Sequence, residues 1–296
     1  MELTDLLTFS TVARLGGITR AADELNTVQS NVTQRIKALE AEIGTALFER
    51  HSRGMTLTGA GRRLLPYAEK MAALSREAML AARDDGEPKG PLSIGSMETT
   101  AAVRLPSLLA EFHRRFPAVR LSLRTSTTAD LVTGVLDGSL DGAFVAGPIE
   151  HAELDSRIAF REELVLVSSR RWLSLKALRA GTAGSGPTAL VFRTGCTYRQ
   201  RLEQVFSEFG WPAAARFELG TLDGMIGCVA AGMGVTLLPR AVVERSDQRK
   251  EISIHTLDTS WSRVDTLFVQ RRSAHQYSAL SGFVSRLKGT ERVIAA

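Results

Sequence analysis

Residues 18–62 read ITRAADELNTVQSNVTQRIKALEAEIGTALFERHSRGMTLTGAGR, and their spacing predicts two short helices, a tight turn and a two-stranded hairpin. Ile18, Ala21, Ala22 and Leu25 recur at the intervals that place side chains on one face of a helix. The small alanines let a second helix cross closely. Asn26 tolerates a left-handed backbone and is expected to end the first helix, and Thr27 is expected to cap the next. Val28, Val32, Ile36 and Leu39 form the buried stripe of that second helix. Gln29, Ser30, Asn31, Thr33, Gln34, Arg35 and Lys37 lie on its opposite face. Downstream, Leu47 to Thr58 holds two short extended runs around Ser52-Arg53-Gly54, a β-wing with arginines at its tip.

A polar stripe on a single amphipathic helix is ordinarily a solvated face. The wing beside it changes the reading. Amides on a helix pair with adenine edges in the DNA major groove, and Arg or Lys with guanine, while a wing arginine enters a narrow minor groove or neutralises phosphate. Gln29, Ser30, Asn31, Thr33 and Gln34 are therefore the candidate base contacts, and Arg35, Lys37, Arg50 and Arg53 the candidate phosphate or minor-groove contacts. Overall charge does not carry this reading. The formal net charge is +5, yet residues 1–87 hold 11 Lys+Arg against 12 Asp+Glu, and the remainder 26 against 20. The basic side chains that matter are local, six against three acidic ones over residues 26–63.

The segments Ala21-Ala22-Asp23-Glu24-Leu25, Gln29-Ser30-Asn31-Val32-Thr33, Ile36-Lys37-Ala38-Leu39-Glu40, Leu47-Phe48-Glu49-Arg50 and Leu57-Thr58-Gly59-Ala60-Gly61 together resemble the LysR-type transcriptional regulators. The resemblance runs across the whole chain. Val28 departs from it, standing where that family often opens the recognition helix with serine or threonine. The resemblance implies a sequence-specific regulator of double-stranded promoter DNA, with RNA polymerase as a further partner, modulated by a small-molecule effector. It also implies assembly as a homodimer or as a homotetramer built from two dimers.

At 296 residues the chain accommodates a small domain joined to a larger one of two lobes, and 44% hydrophobic content supports ordinary cores. Cys196 and Cys228 are too few for a disulfide framework or a structural zinc site, and the five histidines show no ligand spacing, so neither metal nor cofactor is expected. Without a secretory core or a run of 18 apolar residues, the expected place is the cytoplasm rather than a membrane.

Helix one is expected to start at a Thr4 cap and bury Leu6, Phe9 and Ala13. Thr58 to about Arg83 reads as one long helix whose apolar positions Leu64, Leu65, Ala68, Met71, Leu74, Ala78, Met79 and Ala82 form a stripe too wide for one neighbour. Pairing with the same helix of a second chain would set two recognition helices about 34–36 Å apart, one DNA turn. Asp84 to Pro91 breaks the helix with two prolines and two glycines. The expected domains are a winged helix-turn-helix over 1–58, a linker and dimerisation helix over 59–87, and an effector-binding domain over 88–296.

That last region alternates strands (92–95, 119–125, 143–147, 164–167, 189–192, 235–238) with helices (101–116, 129–136, 198–209, 222–231), an α/β pattern with a largely parallel sheet. The family resemblance adds a two-lobed, periplasmic-binding-protein-like fold. Lobe I would comprise 88–162 and 266–296 and lobe II 163–265, with crossings near 162 and 265.

Ligands in such sheets bind where strands end and helices begin. Three such places are rich in hydroxyls: Ser96-Met97-Glu98-Thr99-Thr100, Thr125-Ser126-Thr127-Thr128 and Thr194-Gly195-Cys196-Thr197. Each hydroxyl taken singly is an ordinary cap, but their coincidence makes Ser96, Met97, Thr99, Thr100, Thr125, Thr127, Gly195, Cys196 and Thr197 the candidate contacts for a small anion or an amino acid. Glu98 could meet an ammonium group. Cys196, at a predicted helix start beside Arg199, has a second reading as a redox sensor with a lowered thiol pKa. An enzyme is not indicated. No phosphate loop occurs, Ser185 lacks the flanking glycines of a hydrolase elbow, and Gly232-Met233-Gly234 precedes a strand rather than following one. A solute-binding receptor would need an export signal and has no use for residues 1–85.

Overall fold

In the computed structural model, residues 1–51, 54–211, 215–272, 276–287 and 292–293 are described. The chain forms two compact units, Met1–Asp85 with Asp137–Ser139, and Gly86–Leu136 with Leu140–Ala296.

The first unit contains α1 (Leu3–Leu15), α2 (Ile18–Glu24), α3 (Gln29–Ile43), the hairpin β1 (Phe48–His51) and β2 (Gly54–Leu57), and α4 (Gly59–Ala82). Leu6, Phe9, Val12, Ala21, Ala22, Val32, Ile36, Leu39, Leu47, Phe48 and Ala68 pack into one core, but Val28, expected in the same buried stripe, precedes the helix and is 64% exposed. Two expected caps are corrected. Glu2, not Thr4, precedes α1 and makes no side-chain cap, so Asp5 in the first turn is the charge that complements the helix dipole. Val28 is the extended residue before α3 and has no capping side chain. The Thr27 hydroxyl instead accepts from Asn31 Nδ2 at 2.8 Å. Asn26 does adopt φ 49°, and Gly44 ends α3 in the left-handed region. The Glu40 carboxylate accepts from the amides of Leu47 and Phe48 at 2.8 and 3.3 Å, which fastens the wing to the end of α3. Thr58 Oγ1 caps α4 by accepting from Gly61 N at 3.0 Å and donates to the Ala46 carbonyl at 2.8 Å. Along α4 only Gly61, Ala68 and Ala73 are buried, while Tyr67, Met71, Leu74 and Met79 are exposed within the chain.

The second unit runs β3 (Gly90–Ser96), α5 (Glu98–Val103), α6 (Leu105–Arg115), β4 (Val119–Thr125), α7 (Thr128–Leu136), β5 (Gly142–Ala146) and β6 (Leu154–Ser169). It continues through α8 (Leu175–Gly181), β7 (Ala189–Val191), α9 (Thr197–Glu208), β8 (Arg216–Glu218), α10 (Leu222–Ala230), β9 (Thr236–Pro239) and α11 (Arg240–Glu244). It closes with β10 (Ile252–Thr256), α12 (Thr259–Ser262), β11 (Arg263–Arg271), α13 (Ser278–Val284) and β12 (Arg292–Val293). The expected helix over 101–116 is split at Arg104, because Pro106 has no N–H to give the carbonyl four residues earlier.

The sheet is mixed rather than largely parallel. Its order is β10-β6-β11-β5-β3-β4. β3 is parallel to β4 and β5, whereas β6 and β11 are antiparallel to every partner they have. Of the 16-residue β6 only 164–167 stands out as a strand in the sequence, because its first ten residues include Arg157, Arg161, Glu162 and Glu163. Those ten residues pair with β11, and the remaining six with β9 and β10. Among the described residues one apolar cluster includes Leu131, Val135, Val145, Leu164, Leu202 and Leu237, another includes Val165, Val167, Leu190, Met225, Val229 and Leu238, and the buried rings of Phe112, Phe144, Phe268 and Phe283 pack against one another. On β6, Glu162 is held by Arg104 through two 2.8 Å bonds, and Glu163 by Arg240 through two more.

On β10, buried His255 packs against β6. Ser168 Oγ donates its proton to the Ser169 carbonyl at 3.2 Å, which leaves Nε2–H of a neutral His255 ring to donate to Oγ at 2.8 Å. Burial holds this ring's pKa below its ordinary 6.5. The unfolded chain therefore binds the extra proton first, and stability should fall as pH drops below 6.5. Above that pH the contribution is flat. In urea unfolding followed between neutral and mildly acidic pH, His255→Gln should remove part of the acid slope. An unchanged slope would place the acid sensitivity elsewhere.

Candidate functional site

On α3, neighbouring side chains sort into two groups. Asn31 and Arg35, one turn apart, face back into the unit: Asn31 bonds Thr27, and Arg35 Nη1 pairs with Asp5 Oδ1 at 2.9 Å. Gln29, Ser30, Gln34 and Lys37 are exposed and make no side-chain bond within the described residues. Thr33 stands among them, its hydroxyl donating to the Gln29 carbonyl at 2.8 Å. The free polar face is thus narrower than the seven residues the helix pattern offers. Arg50 lies opposite Met55 in the wing ladder. Arg53 and Ser52, expected at the wing tip, lie outside the described residues.

In the second unit a cavity of about 180 Å³ opens where β3, β4, β7 and β8 end. Five of the nine sequence candidates line it: Met97, Thr99, Thr125, Thr127 and Cys196. The other four do not. Ser96 is fully buried and its hydroxyl donates to the Met97 carbonyl at 2.9 Å. Thr100 is buried in α5, and Thr197 is absorbed into the first turn of α9. Gly195 acts through its backbone. Its φ is +92°, and a Cβ there would stand 3.0 Å from Thr127 Oγ1, so it lets the β7 loop approach the β4 loop. Glu98, Ser126, Thr128, Phe192, Arg193, Tyr198, Leu219 and Gly220 complete the lining. Arg193 was legible as a strand-end residue, but Leu219 and Gly220 follow a three-residue exposed strand that no pattern marks.

Several lining hydroxyls are structural. Thr127 Oγ1 accepts from Asp130 N at 3.3 Å, and Ser126 Oγ donates to Asp130 Oδ2 at 2.7 Å. That bond from Ser126 lowers the Asp130 pKa. Thr99 Oγ1 and Tyr198 Oη differ, for both are buried and lie close to one another, yet neither has a partner of hydrogen-bond geometry among the described residues. Burial pushes the Tyr198 phenol far above its ordinary range, so it remains a proton donor. The Cys196 thiol is pushed up as well, by burial, which corrects the expected lowering. Arg199, the cation invoked for that lowering, is taken by Glu218 at 3.0 Å and Glu203 at 3.6 Å. Glu98 Oε1 accepts from Leu222 N at 2.9 Å, so its carboxylate already has a partner. Among the described residues no three His, Cys, Asp or Glu side chains converge as a metal site, and no helix is long and apolar enough to cross a membrane.

A winged helix-turn-helix unit and a mixed α/β unit with a polar cavity at its strand ends define a ligand-responsive DNA-binding regulator. Residues 3–62 match the family model for the bacterial regulatory helix-turn-helix protein, lysR family, and residues 85–291 match the LysR substrate binding domain. The chain belongs to the LysR family of transcriptional regulators. It is 42% identical over 288 residues to the HTH-type transcriptional regulator GltR of Bacillus subtilis, covering 97% of this chain and 96% of that one. It is 45% identical over 284 residues to the HTH-type regulator YusT of the same organism, covering 96% and 94%. Among solved structures, full-length CbnR complexed with its target DNA is 26% identical, with a TM-score of 0.67 over 97% of this chain and 99% of that chain.

Proposed function

We propose that Gln29, Ser30, Thr33 and Gln34 read base edges, that Lys37, Arg50 and Arg53 contact phosphate or the minor groove, and that Arg35 and Asn31 position α3 rather than touch DNA. The observation that carries this is the unpartnered polar face of α3 beside two side chains tied back to α1 and the turn. CbnR, of the same fold, is described in complex with its target DNA. Residues 1–58 form the DNA-binding domain, 59–87 the dimerising linker, and 88–296 the effector domain, with lobes 88–162 plus 266–296 and 163–265. The exposed Tyr67, Met71, Leu74 and Met79 on α4 supply the self-association face, in a homodimer or homotetramer. The cavity takes a small organic anion or amino acid, which must bind one arrangement of lobes and subunits better than another to change the DNA complex. The protein works without catalysis, in the cytoplasm, beside RNA polymerase at the promoter. The test is footprinting of the full chain on DNA upstream of its own gene, then with a metabolite panel. Two protected half-sites about one turn apart are expected, with protection altered by at least one metabolite. Uniform protection that no metabolite alters would contradict the reading.

A further inference from the structure

We propose that Glu98 is a resident carboxylate clasp between α5 and α10, and that the effector is a small hydroxy or keto acid whose carboxylate displaces it. This rests on the cavity being the effector site. Three observations converge. First, the Leu222 amide that opens the nine-residue α10 donates to Glu98 Oε1 at 2.9 Å, across 124 positions of sequence. Glu98, Leu219 and Gly220 all border the cavity, so the protein itself already places a carboxylate at this helix start. Second, Arg193 stands at the mouth, its Nη2 3.6 Å from where a Gly220 Cβ would lie, and it makes no ion pair within the described residues. An arriving carboxylate held by Arg193 is thereby brought to the same helix start. Third, Thr99 Oγ1 and Tyr198 Oη, each 3% exposed, border the cavity beside one another, and neither has a partner of hydrogen-bond geometry among the described residues. A buried hydroxyl left unbonded is unfavourable, and a hydroxyl or keto oxygen on the effector would satisfy them.

Electrostatics select the class. An ammonium group beside Arg193 and the positive end of α10 would meet like charges, while Glu98, and Asp223 in the first turn of α10, are the resident anions that an arriving acid must outcompete. A carboxylate is attracted there, and once bound it repels Glu98, because two carboxylates at one site cannot both be stabilised. Expelling Glu98 breaks the link between α5 and α10. The clasped state also lowers the apparent affinity by the fraction of time the clasp is shut.

The test is calorimetric titration of the full chain with lactate, pyruvate and alanine, together with hydrogen–deuterium exchange of segment 219–226. Lactate or pyruvate should bind more tightly than alanine. Glu98→Gln should tighten that binding about tenfold by removing the competing charge, and Arg193→Gln should weaken it about as much. Without ligand, Glu98→Ala should speed exchange in 219–226. The proposal is overturned if neither acid binds wild type or Glu98→Gln, if alanine binds as well, or if Glu98→Gln leaves affinity unchanged. Thr99→Val separates the two levels. Loss of binding in Thr99→Val with no effect of Glu98→Gln keeps the cavity and removes the clasp, whereas acid binding indifferent to Thr99→Val and Arg193→Gln removes the cavity reading too.

Discussion

Arg104→Ala is expected to destabilise the α/β unit by about 3 kcal/mol, because it strands the Glu162 carboxylate without its counter-ion in a nearly dry place. The Glu162 side chain is only 4% exposed, and its bonds to Arg104 Nε and Nη2 are both 2.8 Å. Its neighbour Glu163 makes the same two-pronged contact with Arg240 but is 43% exposed, so Arg240→Ala should cost about 1 kcal/mol or less. Geometry is equal in the two pairs, and burial decides. Replacing both partners, Arg104→Met with Glu162→Leu, should recover most of the loss, since the penalty belongs to the orphaned charge. Urea midpoints for the four proteins measure this. An Arg104→Ala cost no larger than that of Arg240→Ala would mean water reaches Glu162. The pair also bears on the cavity, since Arg104 sits at the break after α5, the helix that carries Glu98 and Thr99.

Gly61→Ala should cost the DNA-binding unit about 3 kcal/mol, against the gain of about 1 kcal/mol that the same change brings to an open helix. Gly61 is buried in the first turn of α4, where a Cβ would lie 2.2 Å from the Leu47 carbonyl oxygen and 2.9 Å from Leu57 Cδ2. The first obstacle is backbone, so no rotamer relieves it. The strand that would shift is the one Glu40 fastens to α3, and DNA binding should fail before the α/β unit loosens. Gly59→Ala is the control, since a Cβ there meets only the flexible end of Arg63 at 3.5 Å. If thermal unfolding shows Gly61→Ala as mild as Gly59→Ala, α4 does not seat against the wing as closely as this packing requires.

The DNA-binding unit was legible because its signals are local. Helical periodicity and Asn26 at the turn each act within a few residues, whereas Thr58 reads as the first residue of the long helix and proves to be its cap. What the pattern missed there was long-range: Arg35 counts as a polar-face residue until Asp5, thirty positions away, is seen beside it. The α/β unit was legible as alternating elements but not as a mixed sheet, because strand direction is set by which strands pair, and β6 hides charged residues in an interior strand. The cavity was half legible. Hydroxyl runs at strand ends marked Thr99, Thr125 and Thr127, yet the same residue type serves as cap and as lining, and only burial and partners separate Ser96 from Thr99. Tyr198 reads as helix core until its unpartnered hydroxyl is seen at the cavity.

The central claim is that the free face of α3 reads sequence while basic groups beside it hold the backbone. Fluorescence anisotropy of the full chain on its own upstream site and on a scrambled duplex, over a salt series, tests it directly. Gln34→Ala should weaken binding to the site about tenfold and leave the scrambled duplex unaffected. Lys37→Ala should weaken both alike and flatten the salt slope by about one. If Gln34→Ala weakens the two duplexes equally, or neither, α3 does not read bases through this face.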